Sequence, residues 1–393
     1  MSIGYTNSND SLAPATGFTY RKAHFSPMAY LWLRMVNRTR LRKPYRASEE
    51  AKRLHATLTV ADLHCDALLS NRDLLARSRR GHVDIPRMRE GNVALQFFSL
   101  PTVAPVRAGI PWLPLDTDAM TPLLAAEHWP AKTRKSSCER VLYGASLLRD
   151  MEARSAGMFR LIRTTAQLDI FLNERRTNPL LTAGVLGVEG LHSLEGRVET
   201  LDIFYDAGVR TAGLVHLADN NLGGCAHGKH RSGLTPFGEA VLKRMEEKNM
   251  LVDFAHGSAR LLDDLLACCT RPPILSHTGL KGAHDNERNI TDAHARGIAA
   301  KGGVIGIGFF PWAIGSCSMK ALLKTLVYAV DLVGPDHVAL GSDWDGMVIT
   351  PFDASGTVLV TDALLKHGLD EDDIAKIMGE NVIRVLRETL PDA

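Results

Sequence analysis

The stretch TVADLHCDALL, Thr59 to Leu69, decides the predicted fold. It begins as a largely apolar run and ends with His64 and Asp66 on either side of Cys65. Side chains alternate between the two faces of a strand, so His64 and Asp66 point the same way and Cys65 points the opposite way. The stretch therefore predicts a buried strand that presents an imidazole and a carboxylate together at its carboxyl end, as a metal site would need.

Seven further β-rich runs follow this strand, and segments with helical periodicity lie between them. The eight predicted strands are residues 58–64, 93–99, 183–189, 211–216, 250–256, 272–277, 302–309 and 337–343. The clearest helix runs from Pro236 to Lys248, with Thr235 as a predicted N-cap. Apolar strands that alternate with helices indicate a parallel sheet covered on both faces, and eight such units predict an α/β fold of the (β/α)8 barrel type.

Two segments depart from the regular alternation. Residues 100–182 are too long for one helical return, so we expect an insertion over the mouth of the barrel between strands two and three, followed by a helix around Val141 to Met151. Residues 370–390 predict a closing helix. We divide the chain into a basic and helical N-terminal extension, residues 1–57, and a barrel domain, residues 58–393.

Composition excludes some classes of partner. The formal net charge is only +2, which provides no overall attraction to nucleic acid. The six cysteines form no CxxC pair, so free thiols in a reducing compartment are expected and the predicted location is cytoplasmic.

The N-terminal extension leaves two interpretations open. Residues 21–46 carry eight Lys or Arg residues and no acidic residue, and their apolar run, residues 27–36, is far shorter than the ~20 residues that span a bilayer. Such a segment suits peripheral contact with an anionic membrane surface. A helix packed on the exterior of the barrel is the alternative, and we favour it.

Polar residues follow the apolar part of six predicted strands. They are His64 with Asp66, Glu189, His216, His256, His277 and Asp343. The residues that end the strands of a barrel meet at one face, where burying unpaired charge is costly. A bound metal is the usual means of neutralising such a cluster.

The residue types indicate which metal and how many ions. Imidazoles and carboxylates without convergent thiolates suit Zn²⁺, and residue type leaves Mn²⁺, Co²⁺ and Fe²⁺ open as substitutes. The set exceeds what one tetrahedral ion uses, so we expect two ions per chain. Glu189 is the natural bridge because a carboxylate has two oxygens. His64 and Asp66 would complete one site, and His256 and His277 the other.

Seven motifs occur between about Leu58 and Leu386: DLHCD, GVEG, LVH, LVDFAH, PILSHTG, ERNITD and GSDWDG. In these motifs and in their order the chain resembles the membrane (renal) dipeptidase family of zinc peptidases, which are amidohydrolase-like barrels. This resemblance implies the same metal ligands, His64, Asp66, Glu189, His256 and His277.

The resemblance also implies roles for three other residues. His216 would contact the substrate and stabilise the tetrahedral intermediate, Arg288 would hold the substrate, and Asp343 would carry a proton. The tyrosine that follows strand seven in the family is replaced here, and Trp312 is the nearest aligned aromatic side chain. The shape of the substrate pocket is therefore expected to differ.

The predicted activity is hydrolysis of dipeptides, including those with a D-residue at the C-terminal position, by a hydroxide that bridges two zinc ions; the resemblance also implies a homodimer. Rival functions are hydrolysis of N-acyl amino acids, lactams or phosphoesters, a non-catalytic binding protein on the same fold, and a membrane-surface scaffold.

The individual residues also have structural alternatives. Arg288 could tie its loop to Asp285 or Asp292, His216 could orient Asp219, and Asp345 could share the role of Asp343. Four other histidines near the mouth are interpreted as bystanders: His192, His227, His230 and His284.

Overall fold

The computed structural model describes residues 36–104 and 118–393. Eight parallel strands form a closed barrel in the order of the sequence. They are β1 (Val60–Cys65), β2 (Val93–Phe98), β3 (Thr182–Glu189), β4 (Val209–Gly213), β5 (Leu251–Asp253), β6 (Ile274–Thr278), β7 (Val304–Ile307) and β8 (Val338–Leu340). All eight predicted strands are present, and the predicted (β/α)8 fold is confirmed.

The barrel closes through two pairings that join strands distant in sequence. Leu340 of β8 lies opposite Asp62 of β1, and Leu95 of β2 lies opposite Ala183 of β3. A short additional strand, Phe159–Leu161, pairs with the beginning of β3. Because every neighbouring pair is parallel, all carboxyl ends of the strands lie at the same face of the barrel.

Helices surround the barrel. They are α1 (Glu49–Thr57), α2 (Ile85–Glu90), α3 (Met120–Ala126), α4 (Ser137–Arg154), α5 (Thr165–Arg175), α6 (Thr200–Asp206), α7 (Pro236–Glu247), α8 (Ala259–Cys268), α9 (Asp292–Ala300), α10 (Pro311–Ile314), α11 (Met319–Val333), α12 (Val358–His367), α13 (Glu371–Ala375) and α14 (Asn381–Thr389). The predicted cap of α7 is observed, because the Thr235 hydroxyl accepts from the amide of Gly238 at 3.0 Å. The predicted closing helix consists of α13, a π-helical turn (Lys376–Glu380) and α14.

The two faces of β1 show how the sequence pattern produces the fold. Ala61 and Leu63 are fully buried in a hydrophobic cluster that includes Leu386 of α14. Asp62 and His64 are also buried, but they contact polar side chains of other strands instead, Gln96 of β2 and Ser276 of β6. The strand thus packs one face against the outer helices and directs the other into the barrel.

The insertion and the N-terminal extension pack against the barrel where they are described. The amide of Thr102, in the insertion, donates to the carbonyl of Glu189 at 3.2 Å, and the predicted helix of the insertion is α4. The strand Arg38–Thr39 pairs with Ile349–Thr350, and α1 packs against α12. Residues 1–35, which include most of the basic segment, and residues 105–117 lie outside the described residues.

Two expectations about the chain as a whole can be compared with the structure. All six cysteines are free thiols, as predicted. Within the described ranges, no helix combines the length and the apolar character needed to cross a bilayer. The division of the chain at residue 57 stays a prediction.

Candidate metal centre

The predicted site residues come together at the carboxyl face of the barrel. His64 and His277 lie within β1 and β6, and Glu189 is the last residue of β3. The others follow their strands within a few positions: Asp66 after β1, His216 after β4, His256 after β5 and Asp343 after β8. Every one of them is buried.

The Glu189 carboxylate lies at the centre of the cluster. Its Oε1 is 2.7 Å from Nε2 of His256, 3.3 Å from Nε2 of His277 and 3.8 Å from Nε2 of His64. Its Oε2 is 3.4 Å from Nε2 of His216. One carboxylate therefore faces four imidazole nitrogens, the arrangement expected of a bridging ligand.

Among the described residues, three groups of side chains each bring their potential ligand atoms within 4.8 Å of one another. They are His64 with Glu189 and His277, Glu189 with His216 and His256, and His64 with Asp66 and Asp343. Each predicted ligand belongs to at least one group, and Glu189 belongs to two. The groups also include His216 and Asp343, so the predicted division of ligands between two ions stays a prediction.

The chemistry of these atoms fits a divalent metal ion. Nε2 of His64 and Oδ1 of Asp66 are buried, and neither makes a hydrogen bond of good geometry with a described residue. Leaving such atoms unpaired costs ~1–3 kcal/mol each, and more for a charged group. The two atoms are 3.5 Å apart and are ligand types that Zn²⁺ uses.

The pKa shifts in the cluster indicate that a positive charge at this place would be stabilised. Burial raises the pKa of Asp66 to about 6 and raises the pKa of Asp343 well above its ordinary value. Burial lowers the pKa of His64, but Glu189, Asp66 and Asp343 outweigh it and raise that pKa to about 10. A metal cation in place of the proton would satisfy the same carboxylates.

In two other histidines of the cluster the pKa is lowered, whereas in His64 it is raised. Burial lowers the pKa of both His256 and His277 well below the ordinary value. Burial acts to raise the pKa of Glu189, but the charges of its neighbours, His216 first, lower it to about 2. Neutral imidazoles around an ionised carboxylate are the protonation states in which these groups bind a metal.

Backbone strain occurs at two of these residues. His256 and Asp343 have φ values of 63° and 60°, in the left-handed region that residues other than glycine rarely adopt. Such conformations are costly and cluster at functional sites. Both residues follow the end of a short strand, and the side chain of each faces the cluster.

A buried polar layer lies beneath the cluster, and the sequence did not predict it. Oδ2 of Asp62 accepts from Gln96 at 2.6 Å and from the Ser342 hydroxyl at 2.8 Å. The same hydroxyl lies 3.0 Å from the carbonyl oxygen of His64. Asp62 is two residues before His64, so both side chains point to the same face of β1. This spacing is the signal that could have revealed the polar layer.

A second part of this layer orients His277. The Ser276 hydroxyl lies 2.9 Å from Nδ1 of His277, which leaves Nε2 directed at Glu189. The amide of Ser276 donates to Asp253 at 2.9 Å. Groups that bond the distal nitrogen of a histidine ligand fix its tautomer and its direction.

The structural alternatives for Arg288 and His216 find no support. Arg288 donates to the carbonyl of His277 at 2.7 Å and is buried. The acids predicted as its alternative partners bond elsewhere, Asp285 with Lys281 and Asp292 with Tyr328.

His216 and Asp219 likewise form hydrogen bonds with different groups. Nδ1 of His216 lies 3.0 Å from the carbonyl of Val103, in the insertion. The Asp219 carboxylate accepts from the backbone amides of Cys225 and His230. His216 therefore presents Nε2 to the site.

Asp345 serves a different purpose from Asp343. Its carboxylate forms a buried ion pair with Arg72 and accepts from the amides of His82 and Val83. The Asp343 side chain lies 3.9 Å from Nε2 of His64. Asp343 is thus the carboxylate of this loop that faces the cluster.

The histidines interpreted as bystanders differ from one another. Burial lowers the pKa of His192 to about 4, so this imidazole is neutral. His227 contacts Glu287 and Trp312. Trp312 belongs to α10, after β7, and 57% of its surface is exposed.

Comparison with known proteins identifies relatives of the chain. Residues 48–391 match the sequence model of the family described as membrane dipeptidase, peptidase family M19. The chain is 36% identical to dipeptidase tcpJ of Claviceps purpurea over 216 residues, which are 52% of this chain and 51% of that protein. It is 30% identical to an uncharacterized protein in the pqqA 5′ region of Klebsiella pneumoniae over 257 residues, 62% of this chain and 93% of that protein.

Solved structures show the same fold. The crystal structure of a metallo peptidase from Rhodobacter sphaeroides, liganded with a phosphinate mimic of the dipeptide L-Ala-D-Ala, superimposes with a TM-score of 0.70 at 24% identity. That match covers 85% of this chain and 99% of the other. Since the family match spans most of the chain, this protein belongs to the membrane dipeptidase family, peptidase family M19, a family of metallopeptidases.

Proposed function

We propose that this protein is a dipeptidase that holds two divalent metal ions, Zn²⁺ before Mn²⁺ or Co²⁺, and hydrolyses the peptide bond of free dipeptides. The observation that carries the proposal is the Glu189 carboxylate, which faces imidazole nitrogens from four different strand ends. When bound, the ions supply a water of lowered pKa and polarise the scissile carbonyl. We assign His64, Asp66, Glu189, His256 and His277 as the ligands.

Asp343 is the proposed proton carrier. It is buried at the edge of the cluster, and burial raises its pKa well above the ordinary value. A carboxylate with a raised pKa can take a proton from the attacking water and return it to the leaving amine. That return is required because an amine leaves readily only when protonated.

His216 is the proposed stabiliser of the oxyanion. Its Nδ1 donates to the carbonyl of Val103, and Nε2 points to the side of Glu189 that bears Oε2. Because Nδ1 already holds one proton, Nε2 donates only when the ring is an imidazolium, and in that form it can donate to the oxygen that becomes negative in the transition state. One well-placed donor of this kind is worth ~3–4 kcal/mol.

Arg288 is the proposed anchor for the C-terminal carboxylate of the dipeptide. Its guanidinium is buried beside His277 and forms no ion pair with a described acid within 4.0 Å. A guanidinium can bind a carboxylate through two parallel hydrogen bonds, which favours substrates that end at the second residue. Trp312 would line the substrate pocket next to it.

A related structure supports the substrate class. The metallo peptidase of Rhodobacter sphaeroides binds a mimic of a dipeptide with a D-residue at the C-terminal position. We infer that this chain also accepts dipeptides, with D-residues tolerated at that position.

A screen with defined metal content tests the proposal. The purified protein, reconstituted with Zn²⁺, Mn²⁺ or Co²⁺, is assayed against L,L, L,D and D,L dipeptides, N-acyl amino acids, lactams and phosphoesters. We expect two ions per chain and hydrolysis of L,L and L,D dipeptides. Loaded protein that cleaves none of the dipeptides would contradict the proposal, and cleavage of N-acyl amino acids or lactams alone would replace it with that activity.

The basic N-terminal segment supports a separate proposal. Packing of this segment on the barrel stays the favoured interpretation; as the alternative, we propose that residues 21–46, part of an extension that ends at residue 57, contact anionic membrane surfaces peripherally. In the described part, Arg38, Arg40 and Arg42 are exposed. Cosedimentation with anionic and neutral vesicles, with and without residues 1–50, tests the contact. The cytoplasmic location and the homodimer also stay proposals, and sedimentation analysis of the full chain tests the dimer.

A further inference from the structure

His227, interpreted from the sequence as a bystander, follows a residue that is hydrogen-bonded to the backbone of a candidate metal ligand. The amide of Ala226 donates to the carbonyl oxygen of His256 at 2.8 Å. Next to it, Cys225 forms an antiparallel bridge with Gly257. The loop after β4 is therefore pinned to the loop after β5, and His227 is the first residue beyond that attachment.

The Glu287 carboxylate fixes the orientation of the His227 ring. Its Oε1 lies 2.9 Å from Nδ1 of His227, and its Oε2 accepts from Arg231 at 2.6 Å. A carboxylate can only accept, so Nδ1 carries the proton. Burial lowers the pKa of His227; the bond to Glu287 opposes this effect, and the charge of Arg288 adds to it.

Nε2 of the neutral ring is then a hydrogen-bond acceptor. This atom is buried, and no hydrogen bond reaches it from residues 36–104 or 118–393. A buried acceptor without a partner is uncommon in a folded protein and calls for a physical explanation.

The indole of Trp312 lies beside the imidazole of His227, and the two rings form one surface. Its ring centroid is 5.4 Å from that of His227, and the two planes are inclined by 34°. Asn286 links this surface to the proposed carboxylate anchor: its Nδ2 donates to the carbonyl of Trp312 at 2.8 Å, and its Oδ1 accepts from the amide of Arg288 at 2.9 Å. Asn286 thus joins the backbone of Trp312 to the backbone of Arg288.

We propose that His227 and Trp312 form the binding surface for the side chain of the C-terminal residue of the substrate. The two rings supply flat apolar contact, and Nε2 of His227 accepts a hydrogen bond from a donor on that side chain. The inference rests on the proposed function, because Arg288 must hold the C-terminal carboxylate for the adjacent side chain to reach the rings. The favoured substrates end in a large planar side chain with an O–H or N–H group, such as tyrosine or tryptophan.

Ratios of kcat/KM between dipeptides test the two contributions separately. Trp312→Ala is expected to lower the rates for Ala-Phe and Ala-Tyr relative to Ala-Gly by about tenfold, mainly through KM, because an aromatic contact is lost. His227→Phe keeps a flat ring and removes the acceptor. It should lower the ratio of Ala-Tyr to Ala-Phe by about fivefold, the effect of one hydrogen bond.

Glu287→Gln is a second and milder test of the acceptor. It removes the carboxylate that holds the proton on Nδ1, so the ratio of Ala-Tyr to Ala-Phe should fall in the same direction as in His227→Phe. The matched control is Glu90→Gln, which breaks another exposed Arg–Glu pair at 2.6 Å, with Arg77, and should change neither ratio.

The outcomes separate this inference from the function on which it rests. Unchanged ratios in Trp312→Ala and His227→Phe, measured on variants with the circular dichroism spectrum and metal content of the native protein, would overturn the inference alone. A native protein that hydrolyses no dipeptide would overturn the proposed function together with the inference.

Discussion

Asp343 differs from the other buried aspartates around the site in what its side chain contacts. Asp62 accepts from Gln96 and Ser342, and Asp345 pairs with Arg72. The nearest cation to the Asp343 carboxylate within 4.0 Å, among the described residues, is the His64 imidazole at 3.9 Å. This loose contact suits the role of proton carrier proposed for Asp343.

Asp343→Asn is expected to keep the metal and lose turnover. The amide occupies the same volume but cannot accept and return a proton, so kcat should fall by about 10²–10⁴-fold. Metal content by mass spectrometry and steady-state kinetics on one dipeptide measure the two effects. An unchanged kcat would reject the role of proton carrier, and loss of metal would indicate that Asp343 is a ligand.

Arg288→Ala is expected to weaken substrates that carry a free C-terminal carboxylate. Loss of a charged hydrogen bond worth ~1.5–3 kcal/mol should raise KM about 10–100-fold for a free dipeptide and much less for its C-terminal ester. Arg288→Lys is the matched variant, because it keeps the charge and loses the two-pronged geometry. If free and esterified dipeptides suffer equally in Arg288→Ala, the anchor role is wrong.

At the scale of elements, the turn after β8 is held by the loop after β1. Asp343, Asp345 and Met347 all have left-handed backbone conformations, with φ values of 60°, 66° and 59°. A Cβ on Gly346 would collide with Oδ1 of Asp343, so a side chain there would displace this carboxylate. The buried pair between Arg72 and Asp345 ties this strained turn to the rest of the barrel.

Asp345→Asn should therefore cost stability and activity together. It leaves the Arg72 guanidinium buried without its carboxylate, for which we expect a loss of ~3–5 kcal/mol in the free energy of unfolding. The control is Asp169→Asn, which breaks an exposed pair with Arg387 and should cost at most ~1 kcal/mol. Urea unfolding of both variants measures the difference, and equal losses would contradict the importance of the buried pair.

At the scale of the whole molecule, the two ends of the barrel are different. The polar cluster occupies the carboxyl end of the strands. A cavity of about 820 Å³ lies at the opposite end and is lined by residues that precede strands, such as Thr59, Asn92 and Asp336. In a barrel of this type the amino end contributes to stability and the carboxyl end to catalysis. The volume of a cavity alone therefore does not identify the catalytic site.

Docking of α1 onto the barrel also predicts a pH dependence of stability. His55 of α1 is buried, and its two ring nitrogens lie 2.9 Å from the Thr361 hydroxyl and 2.9 Å from the carbonyl of Gly91. Burial lowers the pKa of His55 below its ordinary value of 6.5, and the bond to Gly91 opposes this effect. As pH falls, His55 therefore becomes protonated at a higher pH in the unfolded chain than in the folded chain.

The stability that depends on neutral His55 is fully present above pH 6.5 and is lost as pH falls towards the folded pKa. One proton contributes at most about 1.4 kcal/mol per pH unit. The change in thermal midpoint between pH 7.5 and pH 5.5 should be smaller in His55→Gln than in the native protein. His367→Gln, at an exposed position of α12, is the control; a native-like pH dependence in His55→Gln would contradict the prediction.

Much of the architecture could be predicted from the sequence because it depends on local pattern. Each β-rich run forms a strand wherever neighbours can cover both faces, and a parallel barrel brings the carboxyl ends of all its strands to one face. The spacing of His64 and Asp66 alone predicts that they share a face. For this reason the strands and the proximity of the predicted ligands followed from the sequence.

Only the tertiary structure decided the contacts between segments distant in the chain. The pairs Arg72–Asp345 and His227–Glu287 join different loops, and neither partner carries a local signal for the other. Their distances depend on how the loops cross after the barrel has closed. The sequence by itself determined which chemical groups reach the mouth of the barrel, whereas the folded chain decided which of them are held in place by other side chains, like Asp345, and which, like Asp343, are not.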